Sequence, residues 1–525
     1  MPPNPAPVAD EPRAFAVDEL FFSTTDPRGI ITSGNEVFVR ISGYSTAELV
    51  GRAHNIIRHP DMPRAAFRLV WDRLKAGQPA AALVKNRAKD GRHYWVVALI
   101  TPTPTGYLSV RFKPSGPLLA TTEALYAQMV AAETRAGTTG ANPRTVMDAG
   151  ARVLTEALGG LKFANYEAFM WVLLCEELRH RDAALAREHR GMVRALPADL
   201  VQRTVVRPAL QHLAGIYHDG CRAYAQLNRL YQRLDEFVAL GQKLDNKTSF
   251  VNNLTNELRI SSINVALAST KLGGEGLALA VISRHMGETS VDVAGSVHRL
   301  VSGIHALSGR LRGVIFDIAA ARLQMEMSLT FLHELIAGET PADTWLERRG
   351  LIRILHDAFS TTLGQATQAL RDLAGTVHPL SLMAGDLEKA MLSLHVAQVG
   401  AMVECAQISS QGDFLDIFVC IREQIDKTHA ELLDLGEALH HLDRLADETP
   451  PLAGEIGRAA VRMDDGIVKL PNRHEAPSPP PTPSSAASRP VAGEAEQRLG
   501  TKKSQGFLRP WKKPAARAEI EPITQ

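Results

Sequence analysis

The stretch HNIIRHPDMPRAAF, residues 54–67, sets two histidines, two arginines and an aspartate among prolines and apolar side chains. A solvated loop does not usually interleave charged residues so closely with Ile56, Ile57 and Phe67. The mixture indicates a half-buried, mostly basic segment that folds around something polar. The residues on either side of it indicate what kind of domain contains it.

The surrounding residues 19–114 predict a mixed α+β domain. ELFFSTT and GIITS are strand-like runs on either side of a DPRG turn, and Ser45 with Glu48 predicts a capping box at the start of a helix. AAFRLVWDRLKAG predicts an amphipathic helix that ends at Gly77. Two β-rich runs flank Lys-Asp-Gly at 89–91, which is a strong hairpin signal, and GYLSVRFK supplies a last strand.

Composition argues against several classes of function. The chain has 525 residues, enough for two or more domains, and its 58 basic and 57 acidic side chains give a formal charge of +1. This near-neutral charge gives no electrostatic argument for binding nucleic acid, so no nucleic-acid partner is expected. The 4 cysteines form no CxxC pair, and no apolar run approaches the ~20 residues that span a bilayer. We therefore expect a cytoplasmic protein without a disulfide framework, a metal site or a transmembrane segment.

Helical periodicity dominates from about 117 to 445. One run of apolar residues falls on alternating steps of three and four, which is typical of a coiled-coil or bundle seam and favours a homodimer. The alternative for this run is an ordinary buried amphipathic helix. The members of the seam are Leu227, Leu230, Leu234, Phe237, Leu244, Val251, Leu254 and Leu258.

The segments STTDPRGIITSGNEVFVRISGYSTAELVG, HNIIRHPDMPRAAF and VKNRAKDGRHYWV resemble, without obvious gaps, the PAS sensor domain of bacterial aerotaxis receptors. The resemblance covers about residues 20–114 and implies an antiparallel sheet with flanking helices. It also implies a non-covalently bound FAD that reports cellular redox state or oxygen. The cofactor-binding candidates carried over by this resemblance are Arg58, His59, Asp61 and Asn86, with Trp71 and His54 beside them.

These residue types suit a flavin. Arg58 offers a fixed fork of donors for carbonyl or phosphate oxygens, and His59 can donate while it is uncharged. Asn86 presents a donor and an acceptor side by side, which matches the paired N–H and C=O of a flavin edge. Asp61 is expected to orient His59 or Arg58, or to start the helix at Pro63.

One departure from the family leaves an alternative open. The family commonly has tryptophan after the turn between this helix and the next strand, where this chain has Ala80. The alternative is that Arg58 and Asp61 form a structural ion pair beside a pocket with no cofactor. Trp95 is expected to pack in the sheet and not to replace the missing ring.

INVALASTKLGGEGLALAVISRHM, residues 263–286, resembles the hairpin tip of methyl-accepting chemotaxis proteins, with glycines where two helices reverse. Several polar residues of the family's tip are replaced, for example by Ala268. GAMVECAQISSQGDFLDIFVCIREQI, residues 400–425, has the same form and is interpreted as a degenerate internal repeat, with chance similarity between helices as the alternative. The resemblance implies a chemotaxis coupling protein and histidine kinase, or a receptor array, as partners.

FVNNLTNELRISSI, residues 250–263, also resembles the phosphoacceptor box of sensor histidine kinases, but Asn256 stands where the histidine belongs. An amide cannot accept a phosphoryl group as imidazole does, and no Gly-rich ATP lid follows. No enzymatic activity is therefore expected. A kinase-derived protein without catalytic residues is the least favoured interpretation.

The sequence thus predicts a PAS sensor of redox state or oxygen joined to a degenerate chemoreceptor signalling region. The rival hypothesis is a scaffold that no longer senses and docks to receptor arrays or another cytoplasmic partner. The predicted segments are a flexible start at 1–18, the PAS domain at 19–114, a helical segment of unknown role at 117–220, a hairpin at 221–330 with its tip near 273–276, a second helical region at 331–445 with a tip near 409–412, and a disordered Pro/Ser-rich linker and basic tail at 446–525.

Overall fold

In the computed structural model, the N-terminal part is a five-stranded antiparallel sheet in the order β2-β1-β5-β4-β3. The structure describes residues 7–191, 193–206, 208–269, 277–338, 345–407 and 412–470. The strands are β1 (Phe21–Thr25), β2 (Ile31–Gly34), β3 (Ala80–Arg87), β4 (His93–Thr103) and β5 (Gly106–Phe112). Between β2 and β3 lie α1 (Glu36–Ser42), α2 (Thr46–Leu49), a 3-10 turn (His54–Ile57) and α3 (Arg64–Lys75). The α+β prediction for this domain is confirmed.

The local signals in this domain act as the sequence predicts. The Glu48 carboxylate accepts a hydrogen bond from the Ser45 N–H at 2.9 Å, which forms the capping box of α2. The Lys-Asp-Gly turn joins β3 to β4, and Gly91 has a φ of +90° there. A Cβ on Gly91 would lie 2.1 Å from the Pro7 carbonyl oxygen, so the turn requires glycine.

Among the described residues eight helices follow the sheet, and the last four close a bundle within one chain. In this bundle α8 contacts α9, α9 contacts α10, and α10 contacts α11. Because α11 also contacts α8, the two consecutive hairpins form a closed ring. Leu227 and Leu230 of the predicted seam are buried, while the other seam side chains lie outside the described residues. The helices are α4 (Leu118–Thr138), α5 (Pro143–Gly160), α6 (Tyr166–Arg187), α7 (Leu200–Val206), α8 (Ala209–Ser269), α9 (Leu277–Ala337), α10 (Trp345–Cys405) and α11 (Gly412–Val468).

The two seam residues that the structure describes, Leu227 and Leu230, are buried within the core of this one chain, and homodimer formation stays a prediction. Within the described ranges no helix is long and apolar enough to cross a membrane.

Three predicted boundaries fall inside helices. The boundary at 221 lies in α8, that at 330 in α9, and the tail predicted from 446 begins inside α11. Prolines usually end a helix, yet α11 continues through Pro450 and Pro451 because buried residues such as Ile456 and Met463 hold its second half in the bundle. The chain beyond 470, the tip at 273–276 and most of the tip at 409–412 lie outside the described residues.

The outer face of the sheet is covered by α6, α9 and α10. Phe22 of β1 meets Phe331 of α9 edge to face, with ring centroids 5.2 Å apart. The Gln324 side-chain amide donates to Thr101 Oγ1 at 2.8 Å in a buried contact. The PAS-like sheet and the bundle therefore share one core.

The helical segment at 117–220, for which the sequence offered no role, supports the domain. The carboxylate of Glu133 in α4 accepts the backbone N–H groups of Arg64 and Ala65 at 2.9 and 2.8 Å. It thus caps the first turn of α3, where a negative charge is stabilising. α6 contributes Arg181, whose guanidinium donates to Glu326 of α9 at 2.8 and 3.0 Å.

Candidate functional site

One face of the sheet is turned toward α1 and α2, and we call it the inner face. Side chains alternate along a strand, so on β4 it is Tyr94, Val96 and Ala98 that pack with the residues of α1 and α2. The cross-strand partners of Ala98 and Ile100 on β5 are Arg111 and Ser109, which therefore share this face. Two polar side chains of the central strand thus lie among apolar ones.

Arg111 is the most buried charge of the inner face, with an exposed fraction of 3%. Its Nη1 donates to Ser23 Oγ at 2.9 Å, and its Nη2 donates to His54 Nε2 at 2.7 Å. The rings of Phe21 and Phe38 lie 6.0 and 5.6 Å from its Cζ atom. Burial lowers the pKa of Arg111 to about 10, so the guanidinium still carries its charge at neutral pH.

His54 contacts Arg111 on the inner face and is held neutral. Because the Arg111 guanidinium can only donate, His54 Nε2 is the acceptor and the ring proton sits on Nδ1. Burial, with a further contribution from the Arg111 charge, lowers the pKa of His54 to about 3. The ring stacks on Phe38, with centroids 6.4 Å apart and planes 11° apart.

Several buried polar atoms around this face have no hydrogen-bond partner among the described residues. Asn86 faces Tyr94 across the β3–β4 ladder, and both Asn86 Nδ2 and Tyr94 Oη are unpaired. Burial raises the pKa of Tyr94, so its hydroxyl keeps its proton. Tyr44 Oη and Ser109 Oγ are unpaired as well. Since a buried polar group without a partner costs about 1–3 kcal/mol, such a cluster is typical of a site that receives a polar ligand.

Arg58 belongs to a different group of contacts. Its Nη2 donates to the Met62 carbonyl at 2.8 Å, and its guanidinium lies 4.5 Å from the centre of the Phe67 ring. Only its backbone pairs with Asn86, as an isolated bridge at the edge of β3. The Arg58 guanidinium and the Asn86 carboxamide were expected to lie together at one site. In the structure the two groups have different neighbours.

His59 and Asp61 lie at the same edge of β3. His59 is buried, and its Nδ1 accepts the Asp61 N–H at 3.2 Å. Burial lowers the pKa of His59 to about 4, although the nearby Asp61 carboxylate acts in the opposite direction. That carboxylate accepts a hydrogen bond from Lys85 Nζ at 2.8 Å, and lies 3.3 Å from His59 Nδ1. Asp61 thus contacts His59, which is one of the two residues that it was expected to orient. Its ion pair is with Lys85 and not with Arg58.

Both tryptophans near the sheet pack outside the inner-face cluster. Trp71 of α3 packs edge to face on Tyr107 of β5, at 5.2 Å between centroids, and both residues border the core shared with the bundle. Trp95 lies 6.2 Å from the Tyr126 ring of α4 on the outer face, so it packs in the sheet as expected. Ala80 is fully buried at the start of β3.

The structure thus brings two of the predicted residues, His54 and Asn86, to the inner face. Trp71 packs outside the inner-face cluster, and Arg58, His59 and Asp61 lie near the edge of the sheet at β3. Sequence reasoning missed five polar residues of this face, although the alternation in YLSVRF, with serine and arginine between apolar residues, is a signal for two of them. The missed residues are Ser23, Tyr44, Tyr94, Ser109 and Arg111.

The antiparallel sheet and its flanking helices are the architecture expected from the sequence. The family model described as the PAS fold matches residues 31–107. The N-terminal domain is a PAS domain. Similarity to other proteins supports the same assignment.

The chain is 42% identical over 132 residues to the aerotaxis receptor of Escherichia coli, which is 24% of this chain and 26% of that protein. It is 36% identical over 88 residues to the nitrogen fixation regulatory protein of Klebsiella pneumoniae, covering 16% of this chain and 18% of that one. It is 30% identical over 82 residues to the biofilm dispersion protein BdlA of Pseudomonas aeruginosa, covering 15% and 20%. The chain spans about a quarter or less of the length of these relatives, and the long helical region that follows is consistent with a chemoreceptor-like signalling region.

Proposed function

We propose that this protein is a non-enzymatic signal transducer whose PAS domain binds FAD at the inner face and reports redox state or oxygen to the helical bundle. The observation that carries the proposal is the set of buried polar atoms without partners around a charged, fully buried Arg111. Similarity of the domain to an aerotaxis receptor supports the choice of a flavin.

The residues of the inner face fit such a group. Asn86 Nδ2 has no partner among the described residues and can donate to a carbonyl oxygen of the ring. Tyr94 and Ser109 add hydroxyls that can donate or accept. Arg111 supplies positive charge for an anionic part of the cofactor. When bound, the flavin supplies the electron chemistry, and the protein contributes binding, orientation and electrostatic response.

A structural route runs from this pocket to the bundle. Asn35 Oδ1 accepts the backbone N–H groups of Phe22 and Phe38 at 3.2 and 3.3 Å, which joins β1 to the start of α1. Its Nδ2 donates to Glu334 Oε1 of α9 at 3.3 Å. Phe38 in turn stacks on His54 in the pocket. A shift of α1 in response to the ligand would therefore reach α9 through one side chain.

The proposed output is the helical bundle, acting on a chemotaxis coupling protein and histidine kinase or on a receptor array. The support for it is the chemoreceptor-like pattern of the two hairpins and the relation of the domain to an aerotaxis receptor. The bundle shares a buried core with the sheet, so a change of packing at the sheet changes the environment of α9.

A visible spectrum of the purified protein tests the cofactor. We expect flavin absorption near ~450 nm that is lost in Asn86→Ala, since that variant removes a buried, unpaired donor of the inner face. Asn55→Ala, a change of the same type at an exposed position of the neighbouring turn, should keep the colour. A protein that stays colourless after reconstitution with FAD contradicts the proposal.

The alternative function is an interaction protein whose PAS domain no longer senses. Ala80, in place of the aromatic residue common in the family, favours it. Under this alternative Asn86→Ala leaves partner binding intact and no flavin is found. Under the proposed function the same variant loses both the flavin and its effect on the bundle.

A further inference from the structure

We propose that Arg111 is the anion-binding residue of the inner face, and that its charge lacks a counterion until a negatively charged group of the ligand lies against it. The inference rests on the proposed function and names the part of the cofactor that this residue recognises. It also makes a statement about the ligand-free protein that holds whatever the ligand is.

Arg111 differs from the other arginines buried in the described part of the chain. Arg181 is paired with Glu326 through two hydrogen bonds, and Arg322 donates to Asp182 at 2.8 Å. Both have a carboxylate that balances the charge. Among the described residues no carboxylate forms an ion pair with Arg111, whose partners are a hydroxyl and an imidazole.

The partners that Arg111 does have orient it without neutralising it. Ser23 Oγ carries no charge, and His54 is a neutral acceptor because its pKa is far below 7. Phe21 and Phe38 present rings to the guanidinium, and ring faces attract a cation only weakly compared with a carboxylate. A charge taken out of water without a counterion is strongly unfavourable, so the arrangement is incomplete as it stands.

The guanidinium also has donors to spare. It carries five N–H groups, and two of them are used by Ser23 and His54. The unpaired hydroxyl of Tyr94 lies close enough to affect the charge of Arg111. An oxygen anion here would accept charge-assisted hydrogen bonds. Two parts of FAD provide one: the pyrophosphate, and the edge of the ring that becomes negative on reduction.

The variant Arg111→Met has different expected effects on the ligand-free protein and on ligand binding. It replaces the charge by an apolar side chain of similar length, so the ligand-free protein should melt at a higher temperature than the wild type. The same variant should bind FAD about tenfold to a hundredfold more weakly in the redox state that carries the recognised anion, because charge-assisted hydrogen bonds are lost. Melting of the stripped protein and fluorescence titration with FAD give the two readouts.

Two further comparisons identify which anion Arg111 binds. If the pyrophosphate is recognised, the loss of affinity is seen with FAD and not with riboflavin. If the reduced ring is recognised, oxidised FAD and riboflavin bind the variant nearly as well as the wild type. The midpoint potential of the bound flavin, titrated with a chemical reductant, then falls.

Arg181→Met is the matched control, since it breaks a buried ion pair with Glu326. It should lower the melting temperature and leave the affinity for FAD unchanged. The proposal is overturned if Arg111→Met also lowers the melting temperature and leaves both FAD affinity and potential unchanged, because Arg111 would then be a structural residue.

A failure of the proposed function gives a different result from a failure of the anion site at Arg111. A wild type that binds no flavin can still be tested with inorganic pyrophosphate as the anion. Stabilisation of the wild type by pyrophosphate, absent in Arg111→Met, supports the anion site without a flavin. Equal responses of the two proteins, with no gain in melting temperature for the variant, overturn it.

Discussion

At the scale of single residues, two imidazoles of the PAS domain are kept neutral by different surroundings. His54 lies beside the Arg111 charge, and burial together with that charge lowers its pKa to about 3. His59 lies beside Asp61, which favours the charged form, yet burial still lowers its pKa to about 4. Both rings can therefore act as hydrogen-bonding groups without carrying a charge into the domain.

Acid should destabilise the protein through His54. An unfolded histidine takes up a proton near pH 6.5, whereas folded His54 does so near pH 3, so between these values the unfolded state binds more protons. The free energy of unfolding must fall as the pH is lowered through this window. His54→Gln removes that contribution, and its melting temperature should decline less steeply between pH 6.5 and 5.

The control for this prediction is His212→Gln, at an exposed position of α8. It should follow the wild type at every pH. A His54→Gln slope equal to that of the wild type would show that His54 is readily protonated in the folded domain.

At the scale of elements, α9 is the part of the bundle that touches the sensor. From Val314 to Leu332 nearly every side chain is buried, because the sheet covers one side of the helix and the bundle the other. Gln324 and Glu334 hold it to the domain through Thr101 and Asn35. Burial raises the pKa of Glu334 to about 7, so its charged and neutral forms coexist near neutral pH.

Glu334→Ala should weaken the connection between pocket and bundle. Binding of FAD is expected to change hydrogen–deuterium exchange in α10 and α11, and the variant should reduce that change while still binding FAD. Glu288→Ala, the same substitution at an exposed position of α9, should leave the change intact. A full response in Glu334→Ala would mean that the signal travels through other contacts, such as Gln324 with Thr101.

The elements also show where sequence reasoning succeeds and where it stops. The capping box at Ser45 and the β3–β4 hairpin are local, so their residues alone predict them. Arg111 was missed because β5, the last strand in the sequence, lies at the centre of the sheet, and only the strand order reveals this. The continuation of α11 through Pro450 was also missed, because tertiary packing overrides the local signal of a proline.

At the scale of the whole molecule, two hairpins in one chain complete a four-helix bundle. α8 contacts α11 along its length, with Gln226 donating to Glu455 at 2.6 Å and Arg462 donating to Asp219 at 2.7 Å. Exposed contacts of this kind add little stability, so buried apolar residues of the bundle such as Leu227, Leu230 and Leu439 must supply most of it. The bundle is thus closed without a second copy, whether or not other surfaces of the protein associate.

The unfolding of the helical region should therefore be independent of protein concentration. A bundle built from two chains gains stability by mass action as concentration rises, whereas an intrachain bundle does not. We expect one melting temperature, measured by the helical circular dichroism signal, over about a hundredfold range of concentration. A version that ends at Gly338 keeps only the first hairpin, and its melting temperature should rise with concentration as copies pair. If the full chain behaves like this shortened version, a second copy contributes to the bundle. Sedimentation equilibrium then decides the state, with 57.1 kDa expected for one chain.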